Sequence, residues 1–520
     1  MRSLIAVAAV ACVAMTANAL PPRWEWLPGQ PQARTAKSTL PALPRAIVDR
    51  PDDFAGPQVH VMYVLPLDGV DEQLDTNGRI GTSVAAFNHW LLQQTPGRTL
   101  RVDTFEGLPD ITFFRLALTD AQVRAMGAFV RDEIERELRS AGMIRDSRLY
   151  AVYYGGSSDV SCGGGAYPPS LPGVVGAMYL KGTPPGAPAC ATNVLGASVE
   201  TPGYLDFGMV HELMHIQGFV AACAPHQVLA GHVSDSANDL MWAGDAPWQL
   251  PPRLDIGRDD YYQHGIAGCL DFSASPYLGT PRYQDLWWVG TSEDGWGMTL
   301  AQHGSTIFAA LFVYDAGGHP VWYVLPGGSW NASFDTYSGN LYSPIGSWFG
   351  NYDATRFSAR PPVGTASISF LGTARASLVY TINGTHGAKS IQRQIFRPPD
   401  ASVPVDYSDI WWGGTAEDGW GVAITQQADV LFAVWYTYDN AGNTTWYVMP
   451  GGTWASATLY SGSLFRTTSS AWLGAAYDPT RFSAIPAGTL TLQFDDSASG
   501  RMSYTADGVS GSKRIVRQPF

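Results

Sequence analysis

Two histidines and one glutamate near the middle of the chain have the spacing of a catalytic metal site. They lie in the segment His211-Glu212-Leu213-Met214-His215. Residues four apart share one face of a helix, so His211 and His215 can direct two imidazole nitrogens at a single ion. Glu212 would then stand beside the open coordination position of that ion. The spacing predicts a helix that binds Zn²⁺ and supports hydrolysis by a metal-activated water.

The same segment resembles the metzincin metallopeptidases, whose pattern is His-Glu-x-x-His-x-x-Gly-x-x-His followed by a turn that contains methionine. His211, Glu212, His215 and Gly218 match this pattern, whereas Ala221 occupies the position of the expected third histidine. Alanine cannot bind zinc, and a catalytic zinc keeps three protein ligands and one water. The third ligand must therefore come from farther along the chain.

Three downstream residues are candidates for the third ligand. The stretch from His232 to Met241 is similar to the one in matrix metalloproteinases in which a ligand histidine, an aspartate three residues on and a Leu-Met-Tyr turn follow in order. This resemblance implies that His232 is the ligand and Met241 the turn methionine. His226 is an alternative, and so is Asp235, because a carboxylate oxygen also binds zinc. Asp239 is interpreted as an ordinary turn residue.

The resemblance to metzincins also implies how a substrate would bind and react. Glu212 would take a proton from the zinc-activated water and later pass it to the leaving amine. An edge strand is expected at residues 174–180, where an extended peptide could pair with the backbone. Residues 161–172 are expected to form a surface loop near the cleft, and residues 219–231 an insertion that overhangs it. The expected activity is endopeptidase hydrolysis of protein or peptide substrates.

Strand and helix patterns around the motif predict the α+β domain that would position it. The predicted strands are residues 59–65, 100–105, 111–116, 149–154 and 174–180, and the predicted helices are residues 80–94 and about 119–141. The helix that carries His211 and His215 has apolar residues at helical spacing, which are Leu205, Met209, Leu213 and Ile216. That apolar face should anchor the helix in the core.

The N-terminus and the cysteines indicate an exported protein. Residues 1–19 combine Arg2, an apolar run and a final Ala-Asn-Ala, which is typical of a cleaved secretory signal. Export favours disulfides among the four later cysteines, and of three possible connectivities the local one is preferred, namely Cys162 with Cys190 and Cys223 with Cys269. No later apolar span is long enough to cross a bilayer. The protein is expected to be secreted, either periplasmic or extracellular.

An internal repeat occupies the second half of the chain. Asp285-Leu-Trp-Trp recurs as Asp409-Ile-Trp-Trp, 124 residues later, and Trp322-Tyr-Val recurs as Trp446-Tyr-Val. Short alternating runs separated by turn signals predict an antiparallel β-barrel or sandwich of about eight strands in each copy. The two modules resemble Trp- and Gly-rich repeats that are appended to secreted bacterial proteins.

The tryptophans of the repeats have two interpretations. Trp287, Trp296 and Trp322 are interpreted first as core residues, because large aromatic side chains fill small β-domains. In the alternative, some indoles stack on sugar rings, and the pairs that begin at Glu293 and Glu417 hydrogen-bond to hydroxyls of a polysaccharide or cell wall. Duplication would then raise the avidity of weak single sites.

The predicted organisation has five parts. They are a signal peptide at 1–19, a linker or short pro-segment at 20–56, a metzincin-like zinc metallopeptidase domain at 57–280, and two β-repeat modules at 281–397 and 405–520. A net charge of −13 without a cluster of Lys and Arg argues against a nucleic-acid partner. The alternative function is a non-enzymatic extracellular protein that binds carbohydrate or cell wall and has a degenerate metal domain.

Overall fold

Most of the regular structure is β-strand, and the α-helices among the described residues all lie in the first half of the chain. The structure, a computed structural model, describes residues 41–184, 189–190, 195–196, 198–229, 231–242, 251–397 and 405–520. The predicted signal peptide therefore lies outside the described residues. The helices are α1 (Arg79–Gln94), α2 (Asp120–Arg124), α3 (Val130–Ser140) and α4 (Tyr204–His215).

Eleven strands precede the repeats in the described part of the chain. They are β1 (Val59–Leu65), β2 (Thr99–Leu100), β3 (Thr104–Phe105), β4 (Leu108–Pro109), β5 (Ile111–Arg115), β6 (Leu149–Ser157), β7 (Gly163–Tyr167), β8 (Leu171–Lys181), β9 (Gln227–Val228), β10 (His232–Val233) and β11 (Leu278–Gly279). Five of them form one mixed sheet in the order β5, β1, β6, β8, β7. The first four of these strands pair in parallel, and β7 runs antiparallel to β8 at the edge.

This sheet is covered on both faces. All seven residues of β1 are buried. Tyr63 and Leu65 point into the core that contains α1 and α4, whereas Met62 and Val64 point into the core that contains α2 and α3. Burial on both faces explains why the strand is a continuous apolar run rather than an alternating one.

Most elements predicted before the repeats are confirmed, with two differences. The predicted helix over 119–141 is two helices, α2 and α3, separated by the short 3₁₀ turn Gly127–Phe129. The predicted strand over 100–105 is two short strands, β2 and β3, which belong to different sheets. In the described part of the chain, no helix is both long enough and apolar enough to cross a membrane.

Each repeat forms one nine-stranded antiparallel sheet. The strands of the first are β12 (Asp285–Trp288), β13 (Gly297–His303), β14 (Thr306–Tyr314), β15 (Pro320–Leu325), β16 (Ser329–Trp330), β17 (Thr336–Leu341), β18 (Gly364–Leu371), β19 (Arg375–Ile382) and β20 (Thr385–Arg393). Those of the second are β21 (Asp409–Trp412), β22 (Gly421–Gln427), β23 (Val430–Tyr438), β24 (Thr444–Met449), β25 (Thr453–Ser456), β26 (Leu459–Thr468), β27 (Ser483–Phe494), β28 (Ser499–Ala506) and β29 (Val509–Arg517).

The second repeat closes into a barrel, which is one of the two architectures that the strand patterns predict. β24 pairs with β26 through Tyr447 with Arg466 and Val448 with Phe465, so eight strands form a closed antiparallel ring. In the first repeat the corresponding strands meet through one isolated bridge between Val324 and Tyr342. The barrel interpretation is therefore confirmed for the second copy, and the first copy is a more open version of the same sheet.

The repeats contact each other through pairs of equivalent interactions. The indole Nε1 of Trp322 donates to the carbonyl oxygen of Thr437 at 3.0 Å. Its counterpart Trp446 donates to the carbonyl oxygen of Val313 at 3.1 Å. Each of these four residues is 124 positions from its equivalent in the other repeat. Reciprocal contacts of this kind are the signature of a twofold, isologous interface, here formed within one chain.

Each repeat also inserts an aromatic side chain into the core of the other. Phe349 of the first repeat lies with its ring centroid 4.8 Å from Trp435 of the second. Trp472 of the second repeat lies 4.5 Å from Tyr380 of the first. Phe349 lies in the segment between β17 and β18, and Trp472 lies in the segment between β26 and β27. We call these two segments the exchanged arms. Because each arm is core material for the opposite sheet, neither repeat is packed independently of the other.

Candidate metal centre

Helix α4 presents His211 and His215 on one face, as their spacing predicts. Its apolar side packs against α1, where the Phe207 ring lies 5.5 Å from the Trp90 ring in an edge-to-face arrangement. The helix ends at His215, and Gly218, with a φ of 81°, lets the chain turn away. The two imidazoles are therefore held on a rigid element rather than on a loop.

His232 joins these two residues in a cluster of three histidines. The Nε2 atom of His215 lies 2.9 Å from Nε2 of His211 and 3.3 Å from Nε2 of His232. Two imidazole nitrogens on one tetrahedral zinc are about 3.3 Å apart, given ligand distances of about 2.0–2.1 Å. The spacing of the three nitrogens therefore fits a zinc ion held by three histidines.

Hydrogen bonds at the opposite ring nitrogens orient two of the imidazoles. Nδ1 of His211 donates to the carbonyl oxygen of Leu240 at 2.7 Å, and Nδ1 of His232 donates to that of Leu229 at 3.0 Å. A carbonyl can only accept, so the proton resides on Nδ1 and the Nε2 lone pairs converge. Burial lowers the pKa of His211 to about 3 and also lowers the pKa values of His215 and His232. Neutral imidazoles are the form that binds a metal.

Glu212 is buried beside the histidines and under strand β7. Burial raises the pKa of Glu212 to about 8, and the positive charge of Arg131 acts in the opposite direction. A Cβ atom at Gly163 would lie 2.5 Å from Oε1 of Glu212, and a Cβ at Gly165 would lie 3.1 Å from Oε2. Glycine at both positions therefore lets β7 approach the carboxylate closely. Neither glycine belongs to the metal-binding motif, although three consecutive glycines in the sequence are a signal that points to them.

Strand β7, and not β8, is the edge strand next to the histidine cluster. The expectation of an edge strand at residues 174–180 is wrong, because β8 is paired on one side with β6 and on the other with β7. Residues 163–167 were expected within a surface loop and instead form β7. Within the described part of the chain, no strand pairs with the outer side of β7. Composition suggests a loop here, and antiparallel pairing with the following strand, β8, overrides it.

The two alternative ligands lie outside the three-histidine cluster. The backbone N–H of His226 donates to Oδ1 of Asp260 at 2.8 Å, and its Nδ1 lies 3.0 Å from Oδ2 of the same carboxylate. The hydrogen bond to Asp260 raises the pKa of His226. Asp235 is exposed and does not join the cluster. The favoured candidate, His232, is thus the one that lies with the helix residues.

Met241 is fully buried in the turn that follows His232. Its carbonyl oxygen accepts a hydrogen bond at 2.9 Å from the backbone N–H of Val233, the residue next to His232. The preceding residue, Leu240, supplies the carbonyl that orients His211. The turn that contains the predicted methionine therefore contacts the strand of one candidate ligand and the ring of another.

Both predicted disulfides are present, and each lies at a border of the site. Cys162 is bonded to Cys190 and directly precedes β7, and Cys223 is bonded to Cys269 in the segment that leads to His232. The expectation that residues 219–231 overhang the cleft stays a prediction. The first residues of this segment, Phe219 and Val220, are buried in the core, whereas Leu229 at the turn before β10 is 89% exposed.

Three tryptophans and two glutamates that the sequence suggests for sugar binding are buried or paired inside the repeats. Trp287, Trp296 and Trp322 are buried, which confirms their interpretation as core residues. Each glutamate accepts a hydrogen bond from an indole Nε1 and forms an ion pair with a lysine, the sets being Glu293 with Trp296 and Lys389, and Glu417 with Trp420 and Lys513. Polysaccharide binding by the repeats stays a prediction. These tryptophans and glutamates do not support it, because they are buried or paired inside the repeats.

The site combines three neutral imidazoles with one buried carboxylate. Such a set can hold a borderline-soft divalent cation and can accept a proton beside it. The chain matches no protein-family model, and no curated protein is significantly similar to it. Function is therefore inferred from the chemistry of these four side chains.

Proposed function

We propose that the protein is an exported, zinc-dependent endopeptidase whose catalytic domain is metzincin-like. The observation that carries the proposal is the convergence of the Nε2 atoms of three histidines, two of them on the helix that also carries the buried Glu212. Three protein ligands with an adjacent glutamate are the ligand set and the base of many zinc hydrolases. The mixed sheet, with α4 packed on one face, supports the domain type, and two disulfides support export.

The reaction assigns a separate task to each side chain. Zinc held by His211, His215 and His232 would supply a polarised water and a polarised scissile carbonyl. Glu212 takes the proton from the attacking water at a carboxylate oxygen and returns it to the leaving amine. The Nδ1 hydrogen bonds keep two of the rings oriented throughout.

The proposed substrate is an extended peptide that adds to the outer edge of β7. An edge strand offers a row of unpaired backbone N–H and C=O groups, which recognise the main chain of a peptide independently of its side chains. Gly163 and Gly165 place this edge close to Glu212. A bound peptide would thus run beside the general base, which favours cleavage within a chain over removal of terminal residues.

The alternative of a non-catalytic metal domain depends on Ala221, which stands where a ligand is expected. His232 supplies a third imidazole, whose Nε2 lies 3.3 Å from Nε2 of His215. The missing ligand at Ala221 is therefore a weaker reason to expect an inactive site. This position of His232 favours the enzyme over the binding protein.

Substitution of the general base tests the proposal. Purified wild type should contain about one zinc ion per chain and hydrolyse casein or an unstructured peptide in a chelator-sensitive reaction. Glu212→Gln should keep the metal, because Glu212 is not a ligand, and should lower kcat/KM by about 100- to 10,000-fold. Metal analysis and a peptide-cleavage assay measure the two quantities.

The matched control is Glu200→Gln, which makes the same chemical change at an exposed position before α4. This variant should retain wild-type activity and zinc content. Equal activity of the Glu212→Gln variant and wild type would refute the assigned role, and a wild type that contains zinc but cleaves no peptide would refute the peptidase itself.

A further inference from the structure

Asp239 lies at the centre of a buried hydrogen-bond network beneath the histidine cluster. Its side chain is fully buried. Oδ1 accepts hydrogen bonds from the backbone N–H of Met241 at 2.7 Å and from the hydroxyl of Tyr261 at 2.9 Å. Oδ2 accepts one from the backbone N–H of Ile256 at 2.8 Å. A turn residue needs only the first of these bonds, so the other two call for a different explanation.

The peptide groups that follow Asp239 contact one candidate ligand, His211, and the residue next to another, His232. The carbonyl oxygen of Leu240 accepts the Nδ1–H of His211 at 2.7 Å. The carbonyl oxygen of Met241 accepts the backbone N–H of Val233 at 2.9 Å, and Val233 adjoins His232 in β10. One carboxylate therefore fixes the turn that orients the ring of His211 and holds the strand of His232.

A second buried aspartate, Asp255, stabilises the same hydrogen-bond network. The hydroxyl of Tyr261 donates to Asp239 and accepts the backbone N–H of Asp255 at 2.8 Å. The carboxylate of Asp255 accepts the backbone N–H groups of Tyr261 at 2.7 Å and Tyr262 at 2.5 Å. Tyr261 and Asp255 are both buried. Tyr261 is therefore fixed at its backbone and at its hydroxyl, which gives Asp239 a stationary partner.

We propose that Asp239 is a positioning residue for the metal centre, which sets the ring of His211 through Leu240 and the strand of His232 through Met241. This inference rests on the proposed function, because it takes the three histidines to hold a metal. Partners of metal ligands orient the ligands before the ion binds, so their loss lowers metal affinity without removing a ligand. In an asparagine at this position, only one oxygen remains for the three donors, and the amide N–H₂ faces an N–H group.

The test compares full-length wild type with Asp239→Asn. Zinc affinity is measured by competition with a chromophoric chelator, cobalt-substituted protein is examined by its visible absorption, and the metal-free protein is unfolded in urea. Asp239→Asn should bind zinc about 10- to 100-fold more weakly and should shift the cobalt bands. A purely structural role would change the unfolding curve and leave the cobalt spectrum of the folded protein unaltered.

Asp75→Asn is the matched control, because Asp75 is also buried but bonds the guanidinium of Arg45 and belongs to no group of possible metal ligands in the described residues. It should lower the free energy of unfolding and leave zinc affinity and the cobalt bands unchanged. If Asp239→Asn does not fold, Tyr261→Phe removes only one of the three donors and should lower zinc affinity several-fold. A folded Asp239→Asn, or in its place Tyr261→Phe, with wild-type affinity and cobalt spectrum would overturn the inference.

The failures of this inference and of the peptidase are distinguishable. A wild type that binds zinc but cleaves no peptide overturns the peptidase alone, and the affinity comparison still decides the role of Asp239. A wild type that cleaves peptides, with unaltered zinc binding in Asp239→Asn, overturns the positioning role alone. A wild type that binds neither zinc nor cobalt overturns both.

Discussion

Gly163 is the residue of β7 whose backbone lies closest to the carboxylate of Glu212, the proposed general base. A methyl group there would lie 2.5 Å from Oε1 of Glu212 and 3.0 Å from Sδ of Met178. Contacts this short force the flexible carboxylate aside, while the backbone of β7 can stay in place. The consequence should therefore be larger for catalysis than for stability.

Gly163→Ala should lower kcat/KM for peptide cleavage by about 100-fold, because a displacement of about 1 Å misplaces the general base. The free energy of unfolding should change by less than about 1 kcal/mol, since the alanine favours the strand while the carboxylate moves away. A peptide-cleavage assay and urea denaturation measure the two effects. Gly81→Ala in α1 is the control, because a Cβ there meets nothing within 4 Å. Wild-type activity in Gly163→Ala would contradict the close approach of β7 to Glu212.

The motif specifies two of the proposed metal ligands but not the third. Helical spacing identifies His211 and His215 because both lie on one element, and the geometry between them is local. The third ligand required a comparison among His226, His232 and Asp235, since loop conformation is not encoded by a period. Only the folded chain shows that His232 joins the cluster, whereas His226 forms a hydrogen bond with Asp260.

At the scale of elements, helix α4 is held by an aspartate in its first turn. The buried carboxylate of Asp206 accepts the backbone N–H groups of Gly203 at 2.7 Å and Gly196 at 2.8 Å, and it also bonds the hydroxyl of Ser83. Burial raises the pKa of Asp206 to about 6, whereas these donors and the charge of Arg79 lower it. The protonated carboxyl is therefore more favoured in the folded state than in the unfolded chain.

This pKa gives the stability contributed by Asp206 a definite sign with pH. Its folded pKa, about 6, lies above the ordinary value of 3.8, so the contribution is fully present below about pH 4 and is lost as pH rises through about 6. Relative to Asp206→Asn, wild type should therefore lose on the order of 2 kcal/mol of unfolding free energy between about pH 4 and pH 8. Urea denaturation of both proteins across this range measures the difference. A difference that is constant or grows with pH would contradict the assignment.

The glycine-rich strand shows the limit of prediction at the same scale. The parallel strands of the first sheet are apolar runs, and burial on both faces makes such runs recognisable. Strand β7 has glycine at three of its five positions, a composition that predicts a loop. Its extended conformation comes from pairing with β8 rather than from its own side chains, so local composition carries no sign of it.

For the whole molecule, the main unexpected feature is that the two repeats complete each other. Phe349 fills the core of the second repeat beside Trp435, and Trp472 fills the core of the first beside Tyr380. The four cysteines that form disulfides all precede the repeats, so no disulfide joins one repeat to the other. Association of the repeats therefore depends on the exchanged arms and on the contacts around them.

The exchanged arms should hold the repeats together without a covalent linker. A protease site introduced between residues 397 and 405 of the full-length protein allows the chain to be cut once. The two fragments should remain associated in size-exclusion chromatography, because each contains core residues of the other. Phe349→Ala with Trp472→Ala should separate them, since each truncation of a buried aromatic side chain removes about 3–5 kcal/mol.

The control for this experiment is Trp454→Ala. Trp454 packs against Tyr460 of its own repeat, at 4.9 Å between ring centroids, and its indole donates to Asp429 of the same repeat. This variant should lower stability and leave the cut fragments associated. Separation of the wild-type fragments after cleavage would show that the linker, and not the arms, joins the repeats.

Features that depend on short spacing or on direct repetition can be predicted from the sequence alone. These are the histidine helix, the local disulfide pairs, the buried strands and the duplication of the second half. Only the folded chain shows that β7 is the edge strand, that Asp239 fixes a turn in contact with His211 and with the strand of His232, and that the repeats exchange their arms. Each of these depends on which distant segments meet, and the free energy of such contacts comes from packing and pairing in the folded chain, which no local pattern records.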